Sequence, residues 1–140
     1  MERILVAINN KYGGWEALTH ACSLAKRMAV KLYVLLVTPS PGKKPSMAQQ
    51  EIQHQLKERV ILVIEKAKNE GIEIQYYTTE GNYADEIISF TKTYNISLLI
   101  SEIRSGAARG SKQEDAVLHS LRHRLSCRME VVAQKQKPLG

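Results

Sequence analysis

The residues with the clearest chemical potential lie in a loop that follows a short apolar run near residue 100. The loop carries two arginines, Arg104 and Arg109, and two glycines, Gly106 and Gly110. Arginine can clamp a phosphate through paired hydrogen bonds, and glycine lets the backbone approach a ligand closely. The combination indicates an anion-binding loop, and exposed charges with ordinary loop glycines are the alternative interpretation.

Ser111 ends this loop and begins a predicted helix. Glu114 follows three residues later, which is the spacing of a capping box. Because the free N–H groups at a helix start attract anions, the phosphates of a bound ligand would lie just before Ser111.

The other reactive side chains form no recognisable catalytic or metal-binding set. His119 and His123 are four residues apart on one predicted helix face, but no third ligand accompanies them. Cys22 and Cys127 have no neighbouring cysteine, which favours structural thiols. Ser111 has no nucleophile-elbow context, so the sequence predicts neither covalent catalysis nor a metal site.

Apolar runs alternate with helix-period stripes along the whole chain, and these are the elements that must position the loop. The predicted strands are 3–8, 31–37, 72–78, 96–100 and 129–133. The predicted helices begin near residues 15, 46, 82 and 111.

Capping signals mark two further helix starts. Asn82 is a favoured N-cap residue, and Ser46 with Gln49 has the spacing of a capping box. The helix after Ser46 has an apolar stripe that is expected to be its buried face. That stripe consists of Ile52, Leu56, Val60, Val63 and Ala67.

Alternating strands and helices predict an α/β fold, with one parallel sheet covered on both faces by right-handed crossovers. Five strands suit a doubly wound order of 3-2-1-4-5, in one domain over residues 1–134 with a frayed tail at 135–140. Ligands of such sheets bind beyond the carboxyl ends of the strands, where the order reverses between strands 1 and 4. Asn9 ends strand 1 and residues 102–111 follow strand 4, so both are predicted to face one crevice.

Composition narrows the class of protein. The chain has 140 residues, of which 44% are hydrophobic and 24% are charged, as in soluble globular domains. No apolar run approaches the roughly 18 residues of a membrane span, and the N-terminus leads straight into a strand without a signal peptide. We therefore expect a cytoplasmic protein with no membrane partner.

The formal net charge of +6 weakly favours anionic partners. Basic residues are concentrated in the last third, among them Arg104, Arg109, Lys112, Arg122, Arg124 and Arg128. No aromatic residues interleave with them as stacking platforms, so a nucleic-acid partner is not favoured. A solvated basic face is the simpler interpretation.

Four segments resemble the universal stress protein family. Residues 3–9 and 17–37 resemble the start of such a domain, and residues 81–100 resemble its third helix and fourth strand. Residues 123–132 resemble its end, with Cys127 where the family often has Cys-Pro. The resemblance covers nearly the whole chain and implies a Rossmann-like domain of the adenine nucleotide alpha hydrolase-like type. Such domains are usually homodimers, and their members either bind ATP or do not.

The chain departs from the nucleotide-binding members of that family at two places. Those members carry an Asp at the end of strand 1, where this chain has Asn9. They also carry a G-x2-G-x9-G-S/T motif after strand 4. Counted from strand 4, the motif positions fall on Glu102, Ser105 and 115–116, with no glycine among them. In this register the Glu102 carboxylate would repel phosphates.

The motif can also be aligned in a second way, in which Gly110-Ser111 is its closing Gly-Ser. The loop would then be shorter and the last helix longer. In that register the protein would bind ATP or AMP through the loop 106–111. The candidate nucleotide site would then comprise Ala7, Asn9, Val37, Arg104, Gly106, Arg109, Gly110 and Ser111.

The leading prediction is a dimeric regulatory or scaffold domain of the stress response, without catalysis and with weak or no ATP binding. An adenine-nucleotide-binding stress protein is the first alternative, and a basic surface that binds nucleic acid or an acidic protein is the second. The dimer is expected to form through the last strand, because an open sheet edge invites pairing with a twofold mate. The predicted interface residues are Met129, Val131 and Ala133.

Overall fold

The computed structural model describes residues 2–9, 14–38, 46–103 and 112–133. Five strands and four helices alternate in these ranges. They are β1 (Arg3–Asn9), α1 (Trp15–Met28), β2 (Lys31–Thr38), α2 (Met47–Asn69), β3 (Ile74–Glu80), α3 (Tyr83–Thr93), β4 (Leu98–Ile103), α4 (Lys112–Arg124) and β5 (Arg128–Ala133). Each predicted element is present, and the ends differ by a few residues because turns and caps set them, whereas the apolar pattern does not.

The strands form one sheet in the order β3-β2-β1-β4-β5, and every neighbouring pair is parallel. This confirms the predicted five-stranded, doubly wound fold. β1 lies at the centre with β2 on one side and β4 on the other. The order therefore reverses between β1 and β4, and the switch point lies at their carboxyl ends.

The central strand β1 is buried on both faces, as expected of a parallel sheet between helices. Ile4, Val6 and Ile8 pack with residues of α1 and α2 in one apolar cluster. Leu5 and Ala7 pack with residues of α3 and α4 in the other. Period-two alternation along the strand thus supplies both halves of the core.

The stripe predicted for α2 is buried at Leu56, Val60 and Ala67 but not at its start, because Ile52 is 56% exposed. A helix of 23 residues is about 34 Å long. The neighbouring strand β2 has eight residues and spans only about 26 Å. The first turns of α2 therefore extend past the sheet and, among the residues that the structure describes, find no apolar surface to cover.

In the part of the chain that the structure describes, no helix combines the length and apolar character that a membrane span requires.

Candidate functional site

A small pocket opens at the switch point, at the carboxyl ends of β1 and β4. Its lining residues are Ala7, Asn9, Gly14, Tyr83 and Glu102, and we call it the switch-point crevice. It lies where the fold predicts a ligand. It has room for about one water molecule, which is far less than a small-molecule site requires.

Glu102 connects the end of β4 to the start of α1. Its Oε1 accepts a hydrogen bond from the backbone N–H of Ala17 at 3.0 Å. The residue before α1, Gly14, has φ +84° and no side chain with which to cap the helix. Since the first N–H groups of a helix have no partner within it, Glu102 supplies an acceptor from a distant strand.

Burial in the crevice raises the pKa of Glu102 above its ordinary value, and the nearby negative charge of Glu16 acts in the same direction. Hydrogen bonds from the backbone N–H groups of Ala17, Glu16 and Gly14 oppose this rise. The loss of water around the carboxylate therefore outweighs its hydrogen bonds. The crevice already holds a poorly hydrated negative charge, and a second anion would face it.

Tyr83, the first residue of α3, forms another wall of the crevice. Its hydroxyl donates to the carbonyl oxygen of Ala7 at 3.4 Å. Burial raises the pKa of Tyr83 to about 12, the Glu102 charge adds to the rise, and a hydrogen bond with Ser101 opposes it. The phenol therefore stays neutral at physiological pH and supplies no positive or negative charge to a ligand.

The structure brings two of the predicted site residues to the crevice, Ala7 and Asn9. Val37 is the register partner of Asn9 on β2 and is buried. The other candidates lie outside the described residues: Arg104, Gly106, Arg109, Gly110 and Ser111. The anion-binding loop stays a prediction.

Sequence reasoning missed Tyr83 and Gly14 as crevice residues. In a βα unit each helix starts on the side of the sheet where the preceding strand ends. The residues that begin helices are thus brought to the same edge as the ends of β1 and β4. A search of the predicted helix starts would have singled out Tyr83, next to the predicted cap Asn82, and the Gly14 turn.

Elsewhere in the described ranges, no three His, Cys, Asp or Glu side chains come together as metal ligands. His119 and His123 are in ring contact, with centroids 4.2 Å apart. Cys22 and Cys127 are free and partly buried, and burial is the main cause that raises the pKa of each thiol. A raised pKa makes both thiols poor nucleophiles at neutral pH.

The family model of the universal stress proteins matches residues 1–127 of this chain. Solved structures agree over most of its length. A universal stress family protein from Burkholderia pseudomallei is 18% identical with a TM-score of 0.69, over 94% of this chain and 95% of that chain. The universal stress protein from Archaeoglobus fulgidus in complex with dAMP is 17% identical with a TM-score of 0.66, over 94% and 97%.

A universal stress protein in complex with cAMP is 15% identical with a TM-score of 0.65, over 94% of this chain and 96% of that chain. Identities this low show a shared fold and no more. No curated protein sequence is significantly similar to this chain.

Proposed function

This chain belongs to the universal stress protein family, and we propose that it is a dimeric regulatory or scaffold domain that performs no catalysis and binds ATP weakly or not at all. The observation that carries the proposal is the Glu102 carboxylate, which lines the crevice and accepts a hydrogen bond from the start of α1. Residues 1–134 would form the domain.

Charge and size both disfavour a triphosphate in the crevice. Glu102 places a negative charge at the position where a ligand of this fold is expected, and Asn9 supplies a neutral amide beside it. The pocket is also small for a nucleotide. Arg104 and Arg109 of the predicted loop oppose these effects, because each charge-assisted hydrogen bond contributes about 1.5–3 kcal/mol.

The side chains of the crevice do not suggest a reaction. Tyr83 keeps its proton because its pKa is raised to about 12. Among the described lining residues, that leaves Glu102 as the other group with an exchangeable proton. General acid–base chemistry on a substrate needs a group placed to give or take the proton, and the Glu102 carboxylate is held by Ala17 of the protein itself.

The proposed dimer uses β5, which is an edge strand of the sheet. Glu130 turns toward α1, where its Oε1 is 2.8 Å from Nε2 of His20. Met129 packs on the opposite face with the α3 and α4 cluster. β4 occupies one edge of β5, and pairing along its other edge would bring Met129, Val131 and Ala133 to the twofold axis.

Calorimetry with Mg-ATP tests the binding part of the proposal. We expect a dissociation constant weaker than about 100 µM, which corresponds to roughly −5.5 kcal/mol. A low-micromolar constant that is lost in Arg104→Ala or Ser111→Ala would overturn the proposal. It would favour the alternative, an adenine-nucleotide binder that uses the loop 106–111. The dAMP and cAMP complexes of the two structural relatives are the observation in favour of that alternative.

Sedimentation tests the dimer. We expect a twofold mass at tens of micromolar protein, and Val131→Pro should lower it because proline cannot donate to a new strand pair. Val131→Thr, which keeps the N–H group and the β-branched shape, is the matched control. A monomer in the unaltered protein, or a Val131→Pro dimer of unchanged mass, would contradict the proposed interface.

A further inference from the structure

We propose that the amino edge of the sheet is a docking surface for the phosphate backbone of double-stranded DNA, bound without selection of base sequence. At this edge the strands begin and the helices end, and we call residues 2–3, 25–31, 66–73, 90–98 and 121–128 the basic edge. The switch-point crevice lies at the opposite, carboxyl edge, so DNA binding here is independent of the proposed function.

Basic residues gather at this edge because of the way the chain is wound. Each crossover helix ends where the next parallel strand begins, and all four helices carry basic residues in the last turn. Basic residues also begin β1, β2 and β5. The edge thus holds ten basic residues: Arg3, Lys26, Arg27, Lys31, Lys66, Lys68, Lys92, Arg122, Arg124 and Arg128.

The basic edge carries the entire net positive charge of the molecule. Its acidic residues are Glu2, Glu70 and Glu73, so ten basic and three acidic residues give it a formal charge of +7 with His neutral. The whole chain carries +6, from 20 basic and 14 acidic residues, so the remainder of the chain amounts to −1. All residues of the edge are described, so its formal charge does not depend on any undescribed segment.

The helix dipoles do not cancel this charge. A basic residue in the last turn stabilises the negative end of its own helix, which explains each such residue singly. The four helix ends supply only about −0.5 each, or roughly −2 in all, against the formal +7 of the edge. Three of the basic residues begin strands, where no comparable dipole needs to be offset. A strongly positive edge therefore remains for an anionic partner.

Five of the ten basic residues take part in no ion pair within the described ranges. Ion pairs with acidic residues hold Lys26, Lys31, Arg124 and Arg128. Arg3 donates from Nη1 to the carbonyl oxygen of Tyr94 at 2.7 Å. The remaining five side chains are exposed, and they come from the helices on both faces of the sheet: Arg27, Lys66, Lys68, Lys92 and Arg122.

The width of the basic edge favours a DNA duplex over an acidic peptide. Five strands about 4.8 Å apart span roughly 19 Å, and the helices extend the edge on both faces. Such a surface bridges the phosphates on the two sides of the DNA major groove, which is about 12 Å wide. An extended peptide would cover a strip only one strand wide. Duplex RNA is contacted largely through the 2′-hydroxyl groups of a shallow groove, for which a cation-rich edge is less suited.

The side chains of the edge also disfavour single strands and membranes. Its aromatic residues Phe90 and Tyr94 pack on each other, with ring centroids 4.4 Å apart, so they form no open stacking platform for unpaired bases. Of the edge residues, all of which are described, only Met28 is a large exposed apolar residue, whereas membrane-surface helices rely on several. The bases of a duplex are already stacked, and contacts to its backbone need only cations and hydrogen-bond donors. The lack of interleaved aromatic residues in the sequence therefore counts against single strands and not against a duplex.

Fluorescence anisotropy of a labelled DNA duplex of about 20 base pairs, titrated with the full chain, tests the proposal. We expect a low-micromolar dissociation constant at about 50 mM NaCl, and the same constant for duplexes of unrelated sequence. Each phosphate contact releases counterions, so five available cations predict a slope of about −4 for the logarithm of affinity against that of salt concentration. The affinity should thus fall by roughly 250-fold between 50 and 200 mM NaCl.

Two lysines of α2 give a matched pair of variants. Lys68→Gln removes an exposed charge from the basic edge and should weaken binding by about threefold or more, with a slope shallower by about 1. Lys57→Gln removes an exposed lysine from the same helix, about 16 Å away along its axis, and should change the affinity by less than about twofold. Circular dichroism verifies that both variants keep the fold.

Two double variants test whether the edge acts as one surface. Arg27→Gln with Lys68→Gln removes two charges from the side of α1 and α2. Lys92→Gln with Arg122→Gln removes two from the side of α3 and α4. Each double variant should weaken binding by about tenfold and make the slope shallower by about 2.

Several results would overturn the proposal. One is a constant weaker than about 100 µM at 50 mM NaCl, or a slope shallower than about −2. Equal effects of Lys68→Gln and Lys57→Gln, or an effect of only one double variant, would show that the basic edge is not the binding surface as defined. Tighter binding of single-stranded DNA, duplex RNA, a poly-glutamate peptide or phosphatidylserine vesicles would assign the edge to another partner.

Discussion

The first N–H groups of α1 and of α3 both need hydrogen-bond acceptors from outside the helix. The two acceptors lie at very different distances along the chain. At α3 the Oδ1 of Asn82 accepts from the backbone N–H of Asp85 at 3.1 Å, three residues along the chain. At α1 the acceptor is Glu102, 85 residues from Ala17, at 3.0 Å. A local cap forms wherever its helix forms, whereas a distant cap needs the sheet to be assembled. Because Glu102 both caps α1 and lines the switch-point crevice, the start of α1 and the crevice form together when the sheet assembles.

A glycine with positive φ lies shortly before each of these two helices, but the two glycines have different surroundings. Gly14 has φ +84°, and a Cβ added there would lie 3.3 Å from Cγ1 of Ile8, a fully buried residue of β1. Gly81 has φ +146°, and its added Cβ would meet the end of the Glu86 side chain. The flexible Glu86 can move away and Ile8 cannot. Packing against the core therefore restricts the residue before α1. The residue before α3 is restricted only by a side chain of that helix.

The largest expected effect comes from Gly14→Ala. A residue with Cβ at positive φ costs about 1–2 kcal/mol, and the contact with Ile8 adds to that cost. We expect a total loss of about 2 kcal/mol in the free energy of unfolding, measured by urea titration. Gly71→Ala is the control, because Gly71 has φ +89° and open space around an added Cβ. Equal losses at the two glycines would show that the Ile8 contact has no energetic weight.

Removing the caps gives the next effect. Asn82→Ala should lower the free energy of unfolding by about 1 kcal/mol, which is the usual worth of an N-cap. Glu102→Ala should cost a similar amount, and Glu102→Gln clearly less, since its amide oxygen can still accept from Ala17. If Glu102→Ala proves neutral while Asn82→Ala does not, the desolvation of the buried carboxylate cancels the benefit of its hydrogen bond.

A smaller effect concerns the phenol that lines the crevice. The pKa of Tyr83 is about 12 in the folded protein and near the ordinary 10.0 in the unfolded chain. As pH rises above 10, the unfolded chain releases this proton first, so the stability contributed by Tyr83 is complete below pH 10 and is lost toward pH 12. Urea titrations at a series of alkaline pH values should show that the free energy of unfolding declines less steeply in Tyr83→Phe than in the unaltered protein. Parallel declines in the two proteins would show that Tyr83 titrates normally.

The smallest expected effect is at the surface of α3. Arg124 Nη1 lies 2.6 Å from Oδ1 of Asp85, but the two side chains are 47% and 60% exposed. Exposed pairs contribute about 0–1 kcal/mol, so Arg124→Ala should cost about 0.5 kcal/mol and less in high salt. Arg122→Ala, an exposed change on the same helix α4, is the control. A loss that does not shrink with added salt would point to packing of the Arg124 stem instead of the ion pair.

Much of the fold could be predicted because its signals are local. The apolar runs of β1 and β2 and the stripe of α1 depend on neighbours within a few residues, and five strands that alternate with helices leave few right-handed arrangements. The Asn82 cap was predicted for the same reason, and the structure confirms its bond to Asp85. Ile52 was assigned to the core wrongly, since the length of β2 and β3 decides how much of α2 can be covered.

The sequence alone determined the order and type of the elements, the position of Asn9 at the end of β1, and the presence of a carboxylate near a nucleotide's expected place. Tertiary structure decided what that carboxylate does. Only the pairing of β4 with β1 brings Glu102 to the N–H of Ala17 and beside Tyr83. The physical reason is that helix periodicity and local caps are set by residues a few positions apart, whereas a bond across 85 positions depends on the assembled sheet.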